Sequence, residues 1–146
     1  MYSYQLASIE ELDNLVYDSL VTDSELFHKY HIAAPCNAFK GLNYVIQAIK
    51  EADKQYGKTL YKITYMGTFT AGFVAIFDNI LYSFGINVHH RNTEAVYTFW
   101  SLLEKHFGDK EYFCTLHNKN TRAISFLEKE CEQKIVNDND TTTLCL

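Results

Sequence analysis

Hydrophobic positions along this chain change their period several times, and each change marks a new element. Tyr2 to Ala7 alternates apolar with polar residues and predicts a short strand. Ser8-Ile9-Glu10-Glu11 has the Ser-x-x-Glu form of a capping box, in which each side chain satisfies the other residue's free backbone N–H, so a helix should follow at once. Ile9, Leu12, Leu15, Val16 and Leu20 then recur at helical spacing and predict one buried face, leaving Glu10, Asp13 and Asp18 in water. After a break near Thr22-Asp23-Ser24, Glu25 to Ile32 predicts a second helical piece. Pro35 ends that region by fixing its own backbone angle and removing a donor. An irregular crossing over Cys36 to Gly41 leads to an amphipathic helix marked by Leu42, Val45, Ile46 and Ile49. That helix should stop at Tyr56-Gly57, where glycine can take the left-handed terminal conformation.

From Leu60 the period becomes two. Tyr61, Ile63 and Tyr65 oppose Lys62 and Thr64, Met66-Gly67-Thr68 predicts a turn, and Phe69 to Phe77 returns as a second strand. Asp78-Asn79 supplies another turn, and Ile80 to Val88 completes three consecutive antiparallel strands. Helical spacing resumes with Ala95, Phe99, Leu102, Leu103 and His106 or Phe107 on the inward side, until Gly108 ends it. Glu111 to His117 predicts a strand, Asn120 to Glu130 a helix with Ala123, Ile124 and Leu127 inward, and Lys134 to Val136 with Thr141 to Leu146 a closing hairpin around Asn137-Asp138-Asn139-Asp140. Helices interrupting a mostly antiparallel sheet make an α+β architecture.

Composition narrows this picture. With 146 residues the chain is most economically one domain, residues 1–146, long enough to bury a real core. Its 47% hydrophobic content, with Tyr 11 and Phe 10, argues against disorder. No apolar run is long enough to span a bilayer, and the first residues lack the pattern of a secretory signal, so a cytoplasmic location is expected. A net charge of −5 disfavours capture by nucleic-acid phosphates. Cys36, Cys114, Cys131 and Cys145 lack paired spacing and read as reduced, structural thiols. His28 and His31 share a helical face, but without a third ligand nearby no metal is assigned. Oligomeric state is not legible.

Two segments carry a resemblance. Gly67-Thr68-Phe69-Thr70-Ala71-Gly72-Phe73 is similar to a hairpin ending in Gly-Phe, and Asn120-Thr121-Arg122-Ala123-Ile124-Ser125-Phe126-Leu127-Glu128-Lys129 is similar to an Asn-x-x-Ala-Ile-x-x-Tyr-Glu-Lys helix. With the element order, they make the chain resemble the GNAT N-acetyltransferase family over nearly its whole length. The resemblance implies a GNAT-like sheet in which Ile80 to Val88 and Glu111 to His117 splay apart. It implies that the pantetheine arm of acetyl-coenzyme A pairs with backbone groups between them, and that an amine attacks the thioester directly. The implied cofactor contacts are Asn87, Val88, Arg91, Asn92, Thr93, Glu94 and Ala95 at the strand-to-helix turn, with Asn120 and Arg122 at the next helix. The segment from Asp23 to Gly41 would line the acceptor side, with an aromatic wall of Phe27, Tyr30, His31 and Phe39.

Departures from the family pattern bear on function. The family's turn reads Arg/Gln-x-x-Gly-x-Gly/Ala, and its backbone N–H groups and helix N-terminus hold the pyrophosphate. Here the matching register is Arg91-Asn92-Thr93-Glu94-Ala95-Val96, with Glu94 and Val96 in the glycine positions. An ionised Glu94 suits the helix dipole but repels a phosphate, so the turn reads as degenerate. His89, His90 and Arg91 offer compensating cations, or a solvated loop. The family's proton-donating tyrosine is replaced by Leu127, with Phe126 beside it, which leaves Cys114, Tyr82 and Tyr112 as substitutes to weigh. His117 is the first candidate for the base that deprotonates the amine and His89 the second; for His117 a bond to a backbone carbonyl is the plainer role. Two readings follow: an acetyl-coenzyme-A-dependent N-acetyltransferase acting on a small-molecule or protein amine, or a catalytically inactive GNAT-fold module that binds a protein partner.

Overall fold

The computed structural model of the chain describes residues 1–20, 38–118, 120–137 and 141–146. The expected helical piece from Glu25 to Ile32, the His28/His31 pair, Pro35 and the aromatic wall lie outside the described residues and side chains, as does the tip of the closing hairpin.

Seven strands form one sheet. β1 (Tyr2–Leu6), β2 (Thr59–Tyr65), β3 (Phe69–Phe77), β4 (Ile80–Ile86), β5 (Phe113–His117), β6 (Gln133–Val136) and β7 (Thr141–Cys145) stand in the order β1-β2-β3-β4-β5-β7-β6. Every neighbouring pair is antiparallel except β4 and β5, which run parallel. The tight turns fall where the sequence predicts them. Met66 and Gly67 take positive φ of 54° and 73°, and Asp78 takes 53°, the left-handed angles that short hairpin turns require. Each hairpin has one extra residue, seen as a register shift: Ala71 on β3 against β2, and Tyr82 on β4 against β3.

Among the described residues four α-helices cover the two faces: α1 (Leu12–Leu20), α2 (Ala38–Tyr56), α3 (Thr93–Phe107) and α4 (Thr121–Glu128). Leu12, Leu15 and Val16 of α1 and Ile46 and Ile49 of α2 bury against Leu60, Phe73, Ala75 and Phe77. On the opposite face Ala95, Phe99, Leu102 and Leu103 of α3 and Leu127 of α4 pack over Ile63, Val74, Ile76 and Leu144. Alternate residues of β3 thus feed opposite cores, which is why Ala71 to Phe77 reads as a continuous apolar run rather than an alternation.

The local signals explain most element ends. Before α1, the Glu11 carboxylate accepts the Ser8 N–H at 2.8 Å and an ion pair from Lys62 at 2.6 Å, and the lysine's hydrogen bond is the main reason its pKa lies below the ordinary value. α2 stops at Gly57, at φ 65°, and Gly108, at φ 61°, closes α3 by donating to the Glu104 carbonyl at 2.8 Å. Several boundaries differ from the sequence expectation, three of them with a clear local cause. α2 begins at Ala38, inside the stretch expected to be irregular, because Gly41 costs a helix interior only about 1 kcal/mol, which tertiary packing offsets. β4 stops at Ile86 rather than Val88, because Val88–His90 winds into a single 3-10 turn capped by the Asn87 side chain. β5 begins at Phe113, although Tyr112 already exchanges both backbone hydrogen bonds with Leu146.

Candidate functional site

The parallel junction in mid-sheet is where the geometry becomes unusual. β4 and β5 share a single register pair, Ile80 with Phe113, where the Phe113 N–H donates to the Asn79 carbonyl at 2.9 Å. Beyond that pair the strands part. The backbone directions follow from their other neighbours, since successive residues of a strand aim their hydrogen-bonding groups to opposite sides. Asn87 donates to the Ala71 carbonyl of β3 at 2.7 Å, so Ile86 and Phe84 aim theirs at the β5 side. Tyr112 pairs with Leu146, so Phe113, Thr115 and residue 117 aim theirs at the β4 side. Beyond the shared pair, main-chain groups of Phe84 and Ile86 therefore face those of Thr115 and residue 117, and among the described residues no strand lies between them.

One face of this gap has an aromatic floor. Phe84 of β4 lies 5.1 Å from Phe99 and 6.3 Å from Phe126 between ring centroids, and Trp100 lies 5.5 Å from Phe126. This cluster ties β4 to α3 and α4 while the strands themselves stay apart.

The sequence-predicted residues gather at the open end. Because β4 and β5 are parallel, the helices that follow them start at the same edge of the sheet. Asn87, Val88, His89, Arg91, Asn92, Thr93, Glu94 and Ala95 form the single connection from β4 into α3. His117 ends β5, opposite Thr141, and Asn120 and Arg122 open α4. Asn120 is buried and its side chain accepts the Ala123 N–H at 3.4 Å, so its capping role is structural.

Within the turn, side chains occupy main-chain groups. The Asn92 side-chain oxygen accepts the Ala95 N–H at 3.0 Å, and the Asn92 carbonyl accepts the Val96 N–H at 3.0 Å. Arg91 Nε donates to the Ile86 carbonyl at 2.7 Å, on the side that faces β5. Asn87 accepts the His89 N–H at 2.9 Å and donates to the Asp18 carbonyl at 2.5 Å, tying the turn to α1. His89 and Glu94 are exposed. His90, which the sequence offers as a phosphate-gripping cation, points elsewhere: its Nδ1 lies 3.1 Å from the Tyr2 hydroxyl, and its ring packs on Tyr2 and Tyr65 at 5.7 and 5.6 Å. Tyr2 also accepts from Asn92 Nδ2 at 2.8 Å. Tyr2 escapes a reading of the sequence because 90 positions separate it from Asn92 and no local pattern announces the contact.

The substitutes for the missing tyrosine fare unevenly. Leu127 is fully buried in the core. Burial pushes the Cys114 thiol up to about 12, and burial also raises Tyr112 to about 12, with its ring stacked 4.0 Å from Phe107. Protons held that tightly do not pass downhill to a thiolate of ordinary pKa near roughly 8.5. Tyr82 is exposed and packs edge-on to Phe77 at 4.9 Å. The buried thiol also carries an expected result: brief iodoacetamide treatment of the native protein at pH 8 should alkylate half-exposed Cys131 at least about tenfold faster than Cys114. Comparable rates by peptide mass spectrometry would mean that β5 opens readily.

Among the described residues no group of three or more His, Cys, Asp or Glu could hold a metal, and no helix is long and apolar enough to cross a membrane. For a coenzyme A thioester the fit is divided. The rows of gap-facing backbone groups suit an extended amide-bearing arm, whereas the turn as it stands has spent the Ala95 donor that a diphosphate would use.

No protein-family model matches the chain, and no curated protein matches it by sequence. Solved structures do match over nearly its full length. The PaiA N-acetyltransferase of Thermoplasma acidophilum, in complex with coenzyme A, has a TM-score of 0.71 at 13% identity, covering 99% of this chain and 98% of that one. An acetyltransferase of Thermus thermophilus has a TM-score of 0.68 at 8% identity, covering 99% and 96%. The spermidine N-acetyltransferase of Vibrio cholerae, with coenzyme A and spermine, has a TM-score of 0.59 at 11% identity, covering 99% and 94%.

Proposed function

From a chain that has the GNAT fold, we propose an acyl-coenzyme-A-dependent N-acyltransferase whose acceptor is an amine. The observation that carries this reading is the parting of β4 and β5 after Ile80 and Phe113, which leaves main-chain groups of both strands facing a gap beside the N-terminus of α3. The aligned solved structures are named as acetyltransferases, and one holds a polyamine, which makes small polyamines and peptide N-termini the first acceptors to try. The alternative of a non-catalytic binding module finds no support among them.

In this reading the chain's own contribution is positioning and proton removal. The backbone groups of Phe84, Ile86 and Thr115 align the donor arm, and Asn87 to Ala95, with Asn120 and Arg122, flank its polar end. The amine nitrogen bonds to the thioester carbonyl carbon as the C–S bond breaks. Its proton goes to His117 or, failing that, to His89, and the departing thiolate takes a proton from water because Leu127 has none to give. A histidine base makes the rate fall as pH drops through the base's own pKa.

Titration with acetyl-coenzyme A, followed by mass spectrometry of a panel of amines, tests the proposal. Binding in the micromolar range, together with a mass gain of one acetyl group on an amine, is the expected result. No thermal shift at millimolar acetyl-coenzyme A would sink it.

A further inference from the structure

A chain of three hydrogen bonds runs from β1 to the first turn of α3. The Ala95 N–H donates to the Asn92 side-chain oxygen at 3.0 Å, Asn92 Nδ2 donates to the Tyr2 hydroxyl at 2.8 Å, and the Tyr2 hydroxyl lies 3.1 Å from His90 Nδ1. The tyrosine oxygen accepts from Asn92, and its contact with the histidine nitrogen completes the chain, with either atom the donor according to the histidine tautomer. The amide of Asn92 is thereby fixed at both ends although the residue itself is exposed. Its oxygen sits where an anion at this helix start would sit, and it spends the same donor.

We propose that Asn92, held by Tyr2, is a built-in competitor for the diphosphate, so that this site selects its donor by the pantetheine arm and discriminates little for the nucleotide end. This rests on the acyltransferase reading above and sharpens its substrate class to acyl-pantetheine thioesters, with or without the nucleotide. Two features act in the same direction. Glu94 places a carboxylate in the first turn, and His90 faces Tyr2 and Tyr65. Set against them, the Thr93 and Glu94 N–H groups belong to the first turn, where a helix has no internal acceptor to offer, and Arg91 stands beside them. The arm's own contacts, along Phe84, Ile86 and Thr115, do not involve Asn92.

The test compares coenzyme A with pantetheine by calorimetric titration of the full chain, in wild type, Asn92→Gly and Tyr2→Phe. Glycine at this cap keeps the helix start within a few tenths of a kcal/mol while removing the competing oxygen. In wild type the two ligands should differ in affinity by no more than about threefold. Asn92→Gly should tighten coenzyme A by roughly tenfold, the worth of one regained charge-assisted hydrogen bond, and leave pantetheine unchanged. Tyr2→Phe, which leaves the cap residue in place but frees its amide to rotate, should shift coenzyme A the same way by less. A wild-type preference for coenzyme A of about a hundredfold, or a ratio that Asn92→Gly does not move, overturns the proposal and leaves the acyltransferase reading intact. Failure of both ligands to bind any variant overturns both.

Discussion

Phe99→Ala should lower the stability of the fold by about 3–5 kcal/mol, among the largest losses expected of a single truncation. Phe99 is fully buried and is the hub of the aromatic floor, with Phe84, Trp100 and Phe126 at 5.1, 5.2 and 5.5 Å. Removing the ring forfeits its transfer free energy and leaves a cavity that its neighbours, on three different elements, cannot close together. The position matters more than burial alone would suggest. β4 and β5 share one register pair, so side chains rather than a hydrogen-bond ladder hold the two parts of the sheet together. Urea denaturation measures the loss; a change below about 1.5 kcal/mol would mean that the cluster rearranges and is not what joins β4 to α4.

Gly72→Ala should cost about 2–3 kcal/mol, as overpacking against rigid backbone does, and should weaken ligand binding in the gap as well. A Cβ at residue 72 would stand 2.5 Å from the Gly85 carbonyl oxygen and 3.3 Å from the Ile86 Cα. Both obstacles are main chain of β4, so nothing can swing aside; β4 itself must shift, and Ile86 carries one of the gap-facing carbonyls. Gly67→Ala is the control. There a new Cβ meets nothing within 4 Å, but φ is +73°, so only conformational strain of about 1 kcal/mol is expected. If the two variants lose equal stability in the same urea titration, close strand approach is not the reason residue 72 is glycine.

Gly72 shows how far the sequence carries and where it stops. The Gly-Phe pair is visible as a motif, and so is the Asn120 to Lys129 helix, but the physical reason for Gly72 is a carbonyl on another strand. Elements with strong periodicity are legible: the β2–β3–β4 meander, α3 and its glycine stop follow from alternation and turn chemistry alone. The placement of β7 between β5 and β6 is not, because strand order is decided by pairings between residues distant in the chain. At the site, the position of the turn and the intrusion of a carboxylate are evident from residue types. That Asn92 spends the Ala95 donor, and that Tyr2 holds Asn92 in place, depends on a strand and a helix start meeting across 90 positions. The Arg91 bond to the Ile86 carbonyl is local, yet nothing in the residue pattern separates it from an arginine reaching outward.

The sheet order also constrains how the native state can be reached. β5 and β6 are consecutive strands that never pair, and β7 lies between them, bonded to β5 through Phe113 to His117 and to β6 through Gln133 to Val136. β6 and β7 can pair locally as a hairpin, but β5 gains its main ladder only when that hairpin docks against it, so docking waits on a contact between distant segments. Its loop-closure entropy is repaid only when Leu144 and Thr142 become buried. The near side, a meander of short hairpins, faces no such delay and can act as the template on which the rest condenses.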